Sequence, residues 1–210
     1  MTTLYIVRHG ESIANHDGRL AGNRDMPLSE IGRKQAGRTA EFLRDMPLDA
    51  VYSSDLSRAM VTAAIIAAAH TLTVIPEPGL REINAGVWEG MPYTEIAAQF
   101  PDEYRIWKEN IGLSRCPGGE SALQVQARVK KTIERIVRQH PEGCLCLVTH
   151  GLALRMMEAV WTRTPPDEIA HIPFASNASV TIVTYENGSG KLVKRDCHDH
   201  LAGLITTIRC

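Results

Sequence analysis

Residues 4–12 read Leu-Tyr-Ile-Val-Arg-His-Gly-Glu-Ser. An apolar, β-favouring run ends abruptly in Arg8-His9-Gly10. A buried strand of this kind would deliver the arginine and the histidine to the edge of a sheet. Residues 144–151, Cys-Leu-Cys-Leu-Val-Thr-His-Gly, repeat the device far along the chain. Two histidines that each leave an apolar strand into a glycine share too much context to be a satisfied core pair.

Working outward, short apolar or β-branched runs predict strands at Thr3–Val7, Ala50–Ser53, Leu72–Ile75, Cys144–Thr149, Val180–Tyr185 and Leu192–Asp196. Helical periodicity falls between them. Ser29 caps a helix running to about Leu43, with Ile31, Ala36, Ala40 and Leu43 on one side. Others cover roughly Leu56–His70, Ser121–Gln139 and Gly151–Trp161. Strands alternating with helices imply an α/β fold, a three-layer α/β/α arrangement around a mostly parallel six-stranded sheet. Glu-Asn-Gly-Ser-Gly at 186–190 is a hairpin signal that would add an antiparallel edge. That edge is the candidate surface for a homodimer. Residues 84–141 carry helical and loop signals and much of the aromatic content, including Trp88, Tyr93, Phe100, Tyr104 and Trp107. They read as a helical insert over the site, within one domain spanning 1–210.

Composition narrows the function classes. The formal net charge of the 210 residues is -1, so no global basic field exists to hold nucleic acid or an anionic membrane. No apolar run reaches the length of a membrane span. The chain enters a strand at once, without a signal-peptide pattern, and its five cysteines show no paired spacing. Both features predict a reduced, cytoplasmic protein. Cys197-His198-Asp199-His200 superficially suggests a metal site, but adjacent tail residues rarely aim at one point and no partner cluster accompanies them. No metal is therefore expected.

Charged groups follow four of the predicted strands: Arg8-His9, then Asp55 and Arg58, then Arg81-Glu82, and finally His150. Ligands of open α/β sheets bind beyond the carboxyl ends of strands, so these groups can converge. Their types suit phosphoryl transfer. Arg8 and Arg58 supply planar, always-charged donors for a phosphate dianion. A neutral imidazole is a competent nucleophile when its other nitrogen is held as a donor. Glu82 is the candidate proton donor, because a bound phosphate beside it favours the protonated form. Arg58 could instead bridge to Asp55, Glu82 could pair with Arg81 or Arg8, and Asn15 could cap a turn. Glu11 reads as structural.

The ensemble resembles the histidine phosphatase superfamily, with its phosphoglycerate-mutase-like fold. The matching pieces are LYIVRHGES (4–12) with Asn15, DMPLSEIGRKQA (25–36), VYSSDLSRAMVTA (51–63), LREINAGVWEGM (80–91), PGGES (117–121) and LVTHG (147–151). They span most of the chain in the family's order. The resemblance implies that His9 becomes phosphohistidine, that Arg8, Arg58 and His150 grip the phosphate, and that Glu82 serves as acid and then base. Asn15, Gly22 and Gly151 would help bind substrate. It implies no cofactor, and a small phosphomonoester as partner, with a phosphate or sulfate ion fitting the same site. LREINAGVWEGM and PGGES look like the broad-specificity and α-ribazole phosphatase branch. One departure is Ala21, where related phosphatases often carry glutamine; Arg24 nearby is the candidate to read a second anionic group. Two other readings share the scaffold: mutase-type phosphoryl transfer, and a non-catalytic phosphate-binding module.

Overall fold

The computed structural model describes residues 1–206. Six strands form one sheet: β1 (Thr2–Arg8), β2 (Ala50–Ser53), β3 (Val74–Pro76), β4 (Cys144–Thr149), β5 (Val180–Glu186) and β6 (Ser189–Cys197). Their spatial order is β3-β2-β4-β1-β5-β6. The first four in that order run parallel, and β5 and β6 are added antiparallel. The helices are α1 (Ile13–His16), α2 (Glu30–Leu43), α3 (Ser57–Ala68), α4 (Tyr93–Gln99), α5 (Pro101–Glu109), α6 (Ala122–Gln139) and α7 (Gly151–Thr162). The mostly parallel α/β sheet expected from the sequence is present.

Alternation along the central strands divides the core in two. Leu4 and Ile6 of β1, with Leu145 and Leu147 of β4, face α6, α7 and the insert. Val7 of β1, with Cys146 and Val148 of β4, faces α2 and α3. Both faces are covered, which is why these strands read as continuous apolar runs. Burial pushes the Cys146 thiol up to about 12, so this cysteine behaves as a small apolar side chain. Cys144 is only partly buried beside the same cluster.

One helix face and two strand starts differ from the periodicity. Ile31 is exposed, because α2 turns Gly32, Gln35, Ala36 and Thr39 inward instead. A Cβ on Gly32 would collide with the Glu11 carbonyl, so close backbone approach decides which side of the helix faces in. Leu72 is taken up in closing α3: Thr71 adopts φ 57° and the Leu72 amide donates to the Ala67 carbonyl, 3.0 Å. β3 therefore starts at Val74. β6 starts at Ser189, three residues before its apolar run, because Asn187 and Gly188 form a two-residue turn with φ 53° and 76°. Such a turn pairs the flanking residues immediately.

The insert is anchored by Trp88, which is fully buried and meets Phe100 and Trp107 edge-on at 6.0 and 5.9 Å between ring centroids. It shares one core cluster with β1 and β4. Trp88→Ala is expected to destabilise the protein by about 3–5 kcal/mol. Urea unfolding checks this; a loss below about 1 kcal/mol would mean that the insert is not held by this ring.

Candidate active site

The register of the two central strands brings the histidines together. Val7 pairs with Val148 and Arg8 with Thr149, so His9 and His150 leave neighbouring strands at the same level. Their ring centroids lie 5.0 Å apart with 61° between the planes. A Cβ on Gly10 would collide with the Gly32 carbonyl, so the tight passage after His9 requires glycine.

The His9 ring is 4% exposed, and its Nδ1 lies 2.6 Å from the Gly10 carbonyl oxygen. A carbonyl only accepts, so Nδ1 carries the hydrogen and a neutral ring has its lone pair on Nε2. Burial first, then the positive charges of Arg58 and Arg8, hold the His9 pKa well below the usual histidine range. The His150 Nε2 lies 2.7 Å from Ser54 Oγ, while its Nδ1 is buried without a hydrogen-bond partner among the described residues. Burial, followed by Arg58, His9 and Arg8, lowers its pKa in the same direction. Both rings are neutral at pH 7.

Arg58 sits in the first turn of α3 at 1% exposure. Its Nη2 donates to the Gly22 carbonyl at 2.7 Å and its Nη1 to the Arg24 carbonyl at 3.0 Å. Burial lowers its pKa to about 10, against the opposing pull of Glu82, Asp25 and Glu89. It stays charged at neutral pH. Arg8 is fixed by an Nη1 hydrogen bond to the Ala175 carbonyl, 2.6 Å. Glu82 takes amide hydrogens at the start of α7: Oε2 accepts from Leu152 at 3.1 Å, and Oε1 from Ala153 at 3.1 Å and from Ile83 at 3.0 Å. Glu82 thus does not pair with Arg81, whose guanidinium goes elsewhere. Asp55 pairs with Arg81, at 2.6 and 2.5 Å, and not with Arg58.

Arg8, His9, Asn15, Gly22, Arg58, Glu82 and Gly151 line one cleft, with Tyr93, Trp107 and Phe174 among its apolar walls. His150 lies against His9, set back from the lining. Arg24 departs from the expectation. It does not line the cleft; its side chain covers Gly90, where a Cβ would stand 2.5 Å from Nη1. Its backbone carbonyl serves the site through Arg58. Asn15 has two roles, because its Oδ1 accepts from the Ser12 amide at 3.1 Å as part of the α1 cap while the residue faces the cleft. Glu11, expected to be structural, also lines the cleft, and its Oε1 accepts from Ser29 Oγ at 2.7 Å. Sequence reading missed Ser54 and Asn177. Asn177 Nδ2 donates to the His9 carbonyl at 3.1 Å and to Asn15 Oδ1 at 3.2 Å. Its position just before β5, the other neighbour of β1, was the available signal.

The sequence profile of the histidine phosphatase superfamily (branch 1) matches residues 4–198. The chain belongs to that superfamily. It is 34% identical over 201 residues to phosphoserine phosphatase 1 of Hydrogenobacter thermophilus, covering 96% of this chain and 95% of that protein. It is 36% identical over 157 residues to the probable phosphoglycerate mutase GpmB of Yersinia pestis, covering 73% and 72%. The solved structure of Bacillus stearothermophilus YhfR superposes with a TM-score of 0.92 at 32% identity, covering 96% of this chain and all of that one.

The two buried rings make stability depend on pH. Their folded-state pKa values lie below the ordinary 6.5, so the unfolded chain binds protons first as pH falls. Their contribution is complete above about pH 6.5 and declines below it, by at most about 1.4 kcal/mol per pH unit for each ring. Urea midpoints measured from pH 7 to pH 5 should fall, and fall less steeply in His150→Asn. Nitrogen NMR should show His9 neutral with its hydrogen on Nδ1 at pH 6; a protonated ring there would contradict the electrostatics.

Proposed function

We propose that this histidine phosphatase hydrolyses small phosphomonoesters through a phosphohistidine at His9, without a metal. The observation that carries the reading is His9, held by its Nδ1 hydrogen bond to the Gly10 carbonyl in a cleft that Arg8 and Arg58 also line. The phosphate dianion would lie between Arg8 and Arg58, with His150 Nδ1 and Asn15 as further contacts. Charge-assisted bonds of this kind contribute about 1.5–3 kcal/mol each, and preorganised donors gain most where charge develops in the transition state.

In the first step the bond from Nε2 to phosphorus forms as the bond from phosphorus to the ester oxygen breaks. Glu82 gives its proton to that oxygen, which leaves as the alcohol. In the second step Glu82 takes a proton from water, whose oxygen attacks phosphorus. The bond from Nε2 to phosphorus breaks, and inorganic phosphate departs. The amides of Leu152, Ala153 and Ile83 give the carboxyl group one orientation for both transfers. We assign the whole chain to this single unit, with residues 84–141 shaping the mouth of the cleft. A second reading, phosphoryl return to another hydroxyl of a sugar acid, is supported by the similarity to the probable phosphoglycerate mutase. A non-catalytic binding module is disfavoured because Arg8, His9, Arg58, Glu82 and His150 are all present and grouped.

Expected outcomes are direct. Incubation with a panel including phosphoserine, 3-phosphoglycerate and 4-nitrophenyl phosphate should release phosphate, with or without a chelator. Conversion of 3-phosphoglycerate to 2-phosphoglycerate in place of release would select the mutase. His9→Ala should abolish both turnover and acid-labile phosphate labelling; persistent labelling would remove His9 from its role. Glu82→Gln should slow turnover by about 10²–10⁴-fold.

A further inference from the structure

The PGGES motif and the start of α6 contribute no residue to the cleft lining. Their charged members converge behind the acid instead. Arg128, two turns into α6, uses its guanidinium on the segment that carries Glu82. Nη1 donates to the Gly79 carbonyl at 3.0 Å and to the Arg81 carbonyl at 2.9 Å, and Nη2 donates to the carbonyl of Glu82 itself at 3.1 Å. The remaining edge faces Glu120, with Nε to Oε1 at 3.1 Å and Nη2 to Oε2 at 3.0 Å. Glu120 Oε2 also accepts from the Asn84 amide at 2.8 Å. One fork and its carboxylate partner therefore hold residues 79, 81, 82 and 84 from behind. From the other side, the start of α7 takes the Glu82 carboxyl group.

We infer that Arg128, braced by Glu120, is the positioning residue for the acid: it fixes the backbone at residues 79–84 so that the Glu82 carboxyl reaches the leaving oxygen. The segment needs such a device. Among the described residues, those between β3 and α4 form only two short 3-10 turns, Pro78–Leu80 and Gly86–Trp88, and residues 81–85 between those turns have no helical or strand ladder. Their carbonyls must find partners elsewhere. A planar guanidinium reaches three carbonyls and a carboxylate at once, whereas a lysine ammonium offers three donors from one point. Displacement of a reacting group by about 1 Å can cost about 10²-fold in rate.

This inference rests on Glu82 acting as the acid, and leaving-group dependence tests both separately. The measured quantity is kcat/KM, which reports formation of the phosphoenzyme. An alkyl phosphate needs a proton on its leaving oxygen, whereas 4-nitrophenyl phosphate scarcely does. Arg128→Lys should shift the alkyl-to-nitrophenyl ratio of kcat/KM downward by about 10-fold or more. Glu120→Gln should shift it in the same direction by less, and Glu82→Gln by the most. If Arg128→Ala does not fold, the Lys and Gln variants carry the test. A ratio unmoved in Arg128→Lys, while Glu82→Gln moves it, overturns the positioning role, even if Tm falls. A ratio unmoved in Glu82→Gln overturns the acid assignment itself.

Discussion

The site depends on burying Arg58. Taking a guanidinium out of water is costly unless other groups replace the lost hydration. Here the replacements are the carbonyls of Gly22 and Arg24, partial charges that hold the group without neutralising it. The result is a cation of nearly full strength in a medium where charge is poorly screened. Burial, reinforced by that field, holds the pKa of both imidazoles below the ordinary histidine range. Arg58 also sets a second guanidinium beside that of Arg8 in the cleft lining, which is the charge the proposed phosphate would meet. The loop at residues 19–24 presents those carbonyls and also lines the cleft. It tolerates no side chain at residue 22, where φ is 56° and a Cβ would stand 2.8 Å from that of Ala85.

The sheet turns this local electrostatics into a site. Only parallel neighbours in matching register can put two strand ends at one level, and the β1–β4 pairing does so for His9 and His150. β2 on the far side of β4 brings Ser54 to the second ring. β5 on the far side of β1 leads in from Asn177, which holds the His9 backbone. The site is thus assembled from four adjacent strand tips, and the apolar runs that read so clearly in the sequence supply its rigidity.

How far the sequence was legible follows from the range of the forces involved. Strands β2 and β4 match the apolar runs end to end, because side-chain burial defined them. The side chains that gather at the cleft were readable too, since strand ends in an open α/β sheet share a location whatever the loops do. Ile31 misled because α2 is oriented by backbone contact between Gly32 and Glu11, which hydrophobicity does not report. Arg24 misled because proximity in sequence to Gly22 does not say which way a loop side chain turns. Glu120 and Arg128 were silent for a deeper reason: their partners are main-chain carbonyls and an amide, and main-chain atoms look the same in every sequence.

The placement of β1 has a consequence for how the protein is made. This strand lies between β4 and β5, so both of its neighbours are encoded beyond residue 143. During translation this apolar, sticky segment must wait, unsatisfied on both edges, until its partners beyond residue 143 have left the ribosome. Such non-local pairing slows folding and lengthens exposure to aggregation. His9 therefore rides on an element that cannot complete its pairing until the strands beyond residue 143 are in place.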